Sequence, residues 1–406
     1  MNDVSSSDPR VLCLPDPTPA GCLGFVEEHL GHLVCDTGGA ASPRFRGGQA
    51  AADAALASFD VSGYAGHRNE VLPVERRGAS ALSPYIRHGM LELSAVWDHV
   101  EGGPQRDVSK FRDELLWQEF SRHWYATLGR RTRRGIRREL SPSGSSGWDR
   151  SMRCVDEVVG ELEGDGWLVN QTRMWLSSQW AVRDGGDWTE GEDEFFRHLL
   201  DGSRAANRLG WQWTTGVGSS KPYGFSRWQV DKRAPGLCAE CDLEDRCPIQ
   251  DWPDDPVYVD SPSLAVGGQL FGPSEVVRSA SPKAVWLTAE SLGDADPAAV
   301  AYPDLPAVFV FDEPLLAGLR LATKRLVFLA ETLAEMAQSR PVEVWLGRPA
   351  ELLHGRDVAV THAPVPGFVD VAASISPAEV YPWPWLCAPK PGSVSSFSAW
   401  RKRVVK

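Results

Sequence analysis

The chain has 406 residues, which is too long for one small hydrophobic core, so its length predicts two or three domains. Its 42% hydrophobic and 24% charged residues are typical of a globular protein and exclude wholesale disorder, a collagen-like repeat and a disulfide-stapled miniprotein. A formal net charge of −12 argues against binding nucleic acid over the whole surface, so any such contact must be local.

No apolar stretch is long enough to predict a membrane span. The longest one, from Leu315 to Met336, is interrupted by Arg320, Lys324, Arg325, Glu331 and Glu335. The first ten residues, MNDVSSSDPR, lack the basic start and apolar stretch of a secretory signal, so we expect a cytoplasmic, monomeric protein. In that reducing compartment, eight cysteines suggest metal or redox chemistry rather than disulfides.

Composition and periodicity divide the chain into four regions. Residues 1–47, rich in Pro, Gly, Asp and Ser, predict an irregular arm with one short helix and no core of its own. Residues 48–250 show helical spacing and end in a cysteine cluster, and residues 251–282 read as a linker. Residues 283–406 alternate β-branched runs with helical stretches, including one helix over 315–338. The fold prediction is therefore an all-α domain followed by a Rossmann-like parallel α/β domain.

The helical half carries a series of short motifs beyond its periodicity. They are SPRFRGG from Ser42, Tyr64 with Arg68, GASALSPYIRHG (78–89), ELLWQEFSRH (114–123), GWLVNQTRMW (166–175), GDWTEGE (186–192) and DGSRAANRLGWQWTTG (201–216). In order and nearly in spacing, this series resembles the FAD-binding domain of the DNA photolyase and cryptochrome family. The resemblance implies a helical domain that binds FAD.

A phosphate-binding loop is predicted just before a helix. Gly78, Ser80 and Ser83 offer backbone N–H groups and hydroxyls where a helix N-terminus holds a pyrophosphate; the alternative reading is an ordinary serine N-cap. The resemblance implies that this segment cradles the FAD diphosphate, although Ala79 stands where the family usually has Thr. The resemblance implies that the residues that bind FAD are Tyr64, Ser80, Leu82, Ser83, Asn170, Arg173, Asp201, Ser203 and Asn207.

The resemblance also assigns residues around the flavin ring. Arg173 and Asp201 resemble the salt-bridged pair above the ring, and Asn207 matches the position that faces flavin N5. An amide there both donates and accepts hydrogen bonds, and photolyases generally keep Asn at this position, which favours repair. Ser203 departs from the usual Asp.

Separate residues are candidates for electron transfer to the flavin and for contact with the DNA lesion. Trp211 and Trp188 match two members of the tryptophan chain that reduces photoexcited flavin; the third is not identified. Trp148 and Trp124 are candidates for it, and core packing is the alternative reading of each. Glu114 and Trp117 share a helical face and match residues that contact and stack on a flipped pyrimidine dimer, so with Asn207 they form the predicted catalytic set.

Basic residues form the predicted DNA contact. The run RRTRRGIRREL (130–140) is either a solvated face or, in this acidic protein, a contact to phosphate. The DNA-binding arginines are predicted to be Arg68, Arg130, Arg131, Arg133, Arg134 and Arg227. Gln118 and Val169 depart from the usual Arg and His of the family.

A cysteine cluster follows the flavin motifs. Cys238, Cys241 and Cys247 form a C-x2-C-x5-C-P pattern, and Cys154 lies far upstream. Four soft thiolates suit an iron–sulfur cluster or zinc. The arrangement resembles the iron–sulfur branch of bacterial photolyases and cryptochromes, so a [4Fe-4S] cluster is favoured over structural zinc and over free thiols.

The α/β half also resembles part of this family. AVWLTAESLGDADPAAV (284–300), AVFVFDEP (307–314), EVWLGRPAELL (343–353) and SSFSAWRKRV (395–404) are similar, in order, to the antenna domain that normally precedes the helical one. The resemblance implies a circular permutation of domains, with the antenna pigment unidentified. A generic nucleotide-binding-like sheet is the alternative.

The functional hypothesis is light-driven DNA repair by a photolyase-like carbon–carbon lyase, in which reduced FAD donates an electron to a pyrimidine photoproduct. A cryptochrome-like photoreceptor without repair activity is the alternative. A helical protein with a thiolate metal site and no flavin is a third reading.

Overall fold

A computed structural model of the protein describes residues 10–260, 270–390, 392 and 394–404. Its helices are α1 (Pro19–His29), α2 (Gln49–Ser58), α3 (Tyr64–His67), α4 (Ser83–Arg87), α5 (Leu93–His99), α6 (Gln105–Leu128), α7 (Arg153–Gly164), α8 (Asn170–Ser178), α9 (Trp188–His198), α10 (Ala206–Thr215), α11 (Arg227–Arg233), α12 (Pro297–Ala301), α13 (Glu313–Leu319), α14 (Thr323–Met336), α15 (Pro349–Leu352), α16 (Pro366–Ile375) and α17 (Phe397–Val404). Its strands are β1 (Val11–Leu12), β2 (Arg138–Leu140), β3 (Tyr258–Asp260), β4 (Val277–Arg278), β5 (Ala284–Leu287), β6 (Ala307–Asp312), β7 (Val342–Gly347), β8 (Val358–Thr361) and β9 (Glu379–Tyr381).

Helices α2 to α11 surround one large apolar core. The longest of them, α6, buries Phe111, Leu115 and Phe120 and ends at Gly129, whose φ of 57° stops the helix. Helix α8 continues into a π-helical turn over Gln179–Arg183, a type of turn that is frequent at functional sites. Side chains in the middle of α6 and around this turn therefore project from helical backbone that packs in the core.

The α/β half contains a seven-stranded sheet in the order β1-β7-β6-β5-β8-β9-β4. The five central strands are parallel, with Val285 opposite Ala307 and Ala359 opposite Glu379. Both faces of the sheet are covered by apolar clusters, as parallel strands require. The edge strands β1 and β4 run antiparallel, so the sheet is mixed rather than purely parallel as predicted.

Helix α14 joins the two halves because it is buried on almost every side. Its apolar residues Leu326 and Leu333 pack in the cluster on the sheet. Its polar residues reach the helical half: the Nζ of Lys324 donates to Glu163 O at 2.8 Å, and Glu331 accepts from Arg46 and from the backbone of Gly47.

Three sequence-based expectations differ from the structure. The described part of the arm, from residue 10, contains the one short helix predicted there, α1, but it also forms β1 on the sheet, and α1 packs on α14. The linker over 251–282 contributes β3, which pairs with β2, and β4, which pairs with β9; its residues 261–269 lie outside the described ranges. The single helix over 315–338 is broken at Arg320, whose φ of 51° is left-handed.

Candidate functional site

The predicted phosphate loop leads into a very short helix. Helix α4 spans five residues, and Leu82, the residue before it, makes no side-chain cap, so the ordinary serine N-cap reading is wrong. Ser83 instead accepts a hydrogen bond from Trp167 Nε1 at 2.9 Å, while Leu82 is fully buried. The Ser80 hydroxyl faces the amide of Leu82 at 3.5 Å, and Ala81 adopts a left-handed φ of 55°. This loop is therefore held in shape by its neighbours.

Tyr64, on α3, lies against α6. Its ring meets Phe111 edge to face at 4.9 Å, and burial raises the pKa of its hydroxyl, an effect that Glu114 reinforces. Arg68, which follows Tyr64 by one helical turn, forms an ion pair with Glu114 at 3.4 Å, and Lys110 approaches the same carboxylate at 2.8 Å. The structure thus brings the predicted DNA-contacting Arg68 and lesion-contacting Glu114 together.

Arg173 and Asp201, the predicted pair beside the flavin ring, are in direct contact. Arg173 Nη2 donates to Asp201 Oδ2 at 2.7 Å, and Arg173 Nε donates to the carbonyl of Leu168 at 3.0 Å. Asp201 is buried, so the pair is a partly desolvated ion pair.

Asp201 and, further along the chain, Asn207 each have a buried polar atom without a protein partner. Asp201 Oδ1 and Asn207 Nδ2 make no hydrogen bond within the described ranges. Such atoms are rare in folded proteins because each carries a desolvation cost, and they favour a polar ligand that pairs with them. Asp201 Oδ1 and Asn207 Nδ2 are thus available to a polar ligand such as the edge of a flavin ring, as is the buried Nε1 of Trp211. Ser203 has a local role instead, since its hydroxyl accepts from the amide of Ala205 at 3.2 Å, and Asn170 is exposed at the start of α8.

A row of tryptophans leads from Asn207 towards the surface. Trp211, one turn after Asn207, is fully buried. A Cβ added at Gly191 would lie 2.3 Å from Trp211 Cη2 and 3.0 Å from Trp180 Cδ2, so both indoles approach the same point. Trp180 in turn meets Trp148 edge to face at 4.8 Å, and Trp148 is partly exposed.

The other predicted tryptophans lie elsewhere. Trp188, the predicted second member of the chain, is buried at the start of α9, and its ring contacts no other aromatic ring in the described part of the chain. Trp124 belongs to a different apolar cluster, around Trp400. Trp180, which the sequence reasoning missed, occupies the π-helical turn; its proximity to Trp211 depends on the absence of a side chain at Gly191.

The arginine run is only partly free. Arg133 forms a pair with Asp193 at 2.8 Å, and Arg130 pairs with Asp370 at 3.2 Å. Arg131 and Arg134 are exposed on the same segment. Arg227 does not belong to this surface: it lines the pocket of the cysteines and pairs with Asp231 and Glu244.

The four predicted metal ligands share one pocket, which is lined by Cys154, Cys238, Cys241, Cys247, Met152, Arg227, Leu237, Leu243, Glu244, Pro248 and Ile249. Burial and then the neighbouring thiols raise the pKa of Cys154 to about 12, and burial and Asp231 raise the pKa of Cys238 to about 12. Over the described ranges, no three His, Cys, Asp or Glu side chains form a group that holds a metal ion. The metal site therefore stays a prediction.

All eight cysteines are free thiols. Among the residues described, no helix combines the length and the apolar character needed to cross a membrane.

Comparison with known proteins points to one family. Residues 111–232 match the model described as the FAD binding domain of DNA photolyase. The chain is 33% identical over 137 residues to the deoxyribodipyrimidine photo-lyase of Salmonella typhimurium, covering 30% of this chain and 28% of that protein. It is 32% identical over 189 residues to the enzyme of the same name from Thermus thermophilus, covering 43% and 44%. The chain thus spans less than half the length of these curated relatives.

Solved structures with similarity include a class III photolyase from Agrobacterium tumefaciens, at 24% identity, a TM-score of 0.38 and coverage of 46% of this chain and 42% of that one. A cryptochrome from Synechocystis has 21% identity, a TM-score of 0.43 and coverage of 48% and 45%. Both scores are too low to carry an argument. The match over residues 111–232 supports the resemblance predicted for the helical half, which is similar over this range to the FAD-binding domain of DNA photolyase.

Proposed function

We propose that this protein repairs pyrimidine photoproducts in DNA in a light-driven reaction, as a photolyase-like lyase that binds FAD. The observation that carries the proposal is the buried Arg173–Asp201 pair with the unpartnered atoms Asp201 Oδ1 and Asn207 Nδ2, inside the segment related to a photolyase FAD-binding domain. When bound, FAD supplies the light absorption and the electron.

The chain's own residues bind and orient. Asn207 presents its amide to the flavin edge, and Arg173, fixed by the carbonyl of Leu168, keeps the Asp201 carboxylate in place. Ser80, Ser83 and the backbone around Leu82 hold the diphosphate, with Tyr64 beside them. Apolar burial of Trp211 behind Asn207 excludes water from this end of the pocket.

The DNA side of the proposal rests on α6. Glu114 accepts a hydrogen bond from the lesion and Trp117 stacks on the extruded base, while Arg68 holds the Glu114 carboxylate near the mouth of the site. The exposed Arg131 and Arg134 contact phosphate, and Arg130 and Arg133 do so on exchanging their carboxylate partners. The proposed partner is damaged DNA, bound by a monomer.

We further propose that Cys154, Cys238, Cys241 and Cys247 hold a [4Fe-4S] cluster. Four thiols around one pocket with apolar walls support it, since such clusters take four cysteine ligands and sit in protected surroundings. The eight free cysteines fit a reducing compartment, proposed to be the cytoplasm. Protein purified without oxygen should contain about four iron and four sulfide per chain, and Cys154→Ser should lose them while the exposed Cys13→Ser keeps them. Zinc in their place would overturn the cluster.

The α/β half is proposed to be the antenna domain in permuted order. The five parallel strands β7-β6-β5-β8-β9 form the doubly wound centre expected of such a domain, and β1 closes their edge from the other end of the chain. No pigment is assigned to it.

The deciding experiment illuminates the purified, reduced protein with an oligonucleotide that contains one cyclobutane pyrimidine dimer. Restoration of the two pyrimidines, measured by chromatography, is expected, with no restoration in the dark. Protein that retains FAD, undergoes photoreduction and leaves the dimer intact would favour a photoreceptor without repair. Protein with no releasable yellow cofactor would exclude both readings.

A further inference from the structure

An aromatic ring from the α/β half covers one face of Trp117. Phe397, the first residue of α17, lies with its ring centroid 3.9 Å from that of Trp117 and at an interplanar angle of 10°, so the rings are stacked face to face. Trp117 is nevertheless 37% exposed. Phe120 meets Trp117 edge to face at 5.7 Å and Phe397 at 5.8 Å, so it lies beside the stacked pair and does not cover the other face of the indole. The exposed area of Trp117 therefore lies on the side turned away from Phe397.

The segment that carries Phe397 is firmly attached to α6. Trp400, one turn further along α17, is fully buried, and its Nε1 donates to His123 Nδ1 at 3.0 Å. Arg401 pairs with Asp113 at 2.9 Å. Phe397 also packs edge to face against Phe120 of α6. Moving Phe397 away from Trp117 would require a buried tryptophan to leave its place, so the ring is a fixed support rather than a hinged cover.

We propose that Phe397 is a positioning residue that fixes the Trp117 indole so that its open face receives an extruded base of damaged DNA. The proposal rests on the proposed repair function. A half-exposed indole without support loses rotamer freedom when a base stacks on it, whereas an indole already stacked on Phe397 has lost that freedom before binding. Base stacking on aromatic side chains tolerates any base, so the support affects affinity rather than sequence preference.

The test measures binding in the dark to two otherwise identical duplexes, one with a single cyclobutane pyrimidine dimer. Phe397→Leu should weaken binding of the damaged duplex about 3- to 10-fold, because the immobilisation cost returns, and should leave binding of the intact duplex and the FAD content unchanged. Phe397→Tyr, which keeps an aromatic face, should bind the damaged duplex as the natural protein does.

The matched control is Phe368→Leu, which removes a stacked phenylalanine from Trp286 within the α/β half, where the centroids lie 5.5 Å apart. It should not change the affinity for either duplex. Tighter binding of the damaged duplex by Phe397→Leu would overturn the proposal, since the ring would then be a cover. The proposal is also overturned if Phe397→Leu lowers the melting temperature but keeps the natural preference for the damaged duplex over the intact one. If the natural protein itself does not prefer the damaged duplex, the repair function fails first and the inference with it.

Discussion

Asp201 Oδ1 and Asn207 Nδ2 place an energetic cost on the flavin-free protein. Each is a buried polar atom without a partner in the described part of the chain, and such an atom costs about 1 to 3 kcal/mol of stability. A ligand that pairs with both atoms recovers this cost and stabilises the fold in proportion to its affinity. The same two atoms therefore couple flavin binding to folding.

The Arg173–Asp201 pair allows this to be tested. Arg173→Met removes the ion-pair partner of the buried Asp201 carboxylate, which then keeps its charge interaction with the buried Arg325. We expect the flavin-free variant to lose about 2 kcal/mol of unfolding free energy, and the variant as purified to contain little FAD. Unfolding in urea and the flavin absorbance of the purified variant measure these two effects.

Arg130→Met is the matched control, because both partners of the Arg130–Asp370 pair are mostly exposed, at 76% and 68%. It should change stability by less than about 1 kcal/mol. Equal losses in the two variants would contradict the assigned difference in burial.

At the scale of elements, the contact between α9 and α14 joins a histidine to a lysine. His198 ends α9, and its Nδ1 lies 3.5 Å from Lys324 Nζ of α14. Burial, followed by the charge of Lys324, lowers the pKa of His198 to about 4 from an ordinary value of 6.5. The imidazole is therefore neutral in the folded protein at neutral pH.

This histidine predicts a loss of stability in mild acid. The unfolded chain binds a proton at His198 near pH 6.5 and the folded chain only near pH 4, so stability is full above about pH 7 and falls as the pH drops between these values. At pH 5 the loss should be about 2 kcal/mol. His198→Gln should reduce the difference in unfolding free energy between pH 7 and pH 5 by this amount, whereas His32→Gln, at an exposed position, should not. An undiminished difference in His198→Gln would argue against a neutral buried imidazole.

The π-helical turn after α8 supplies a second prediction at this scale. Trp180 in this turn lies between Trp211 and the partly exposed Trp148, so electrons should reach an excited flavin through it. Trp180→Phe should slow the light-driven bleaching of oxidised flavin, in the presence of a thiol reductant, by more than an order of magnitude.

Trp175→Phe is the control for that experiment, because Trp175 is equally buried but stacks on Phe225 instead. It should bleach at the rate of the natural protein. If Trp188→Phe proves inactive while Trp180→Phe does not, the route through Trp188 expected from the sequence is correct.

At the scale of the whole molecule, α14 belongs to both halves. It packs on the sheet through Leu326 and Leu333, while Lys324 and Glu331 bond to the helical half. Because side chains of this helix contact both halves, we expect calorimetry of the protein to give one unfolding transition, with Glu331→Gln lowering its midpoint. Two separate transitions would show that the halves unfold independently.

Features set by residues close together in the sequence could be predicted, whereas features set by contacts between distant residues could not. The helical and α/β halves were predicted because periodicity of apolar residues is local, and Arg173 and Asp201 were predicted because their motifs are intact. The edge strand β1 was missed because its pairing with Trp345 and Val344 is set by distant residues and not by its own two residues. Trp180 and Phe397 were missed for the same reason. Trp180 approaches Trp211, and Phe397 stacks on Trp117, only once the chain has folded.

The pairing of β1 with β7 has a consequence for synthesis of the chain. Val11 and Leu12 leave the ribosome before the helical half, and their partners at Trp345 and Val344 follow only after it. During that interval the apolar side of α1, with Phe25 and Val26, has no sheet and no α14 to cover it. The nascent protein therefore exposes an apolar, aggregation-prone segment while the helical half is being synthesised, and a chaperone that shields such segments should raise the yield of folded protein.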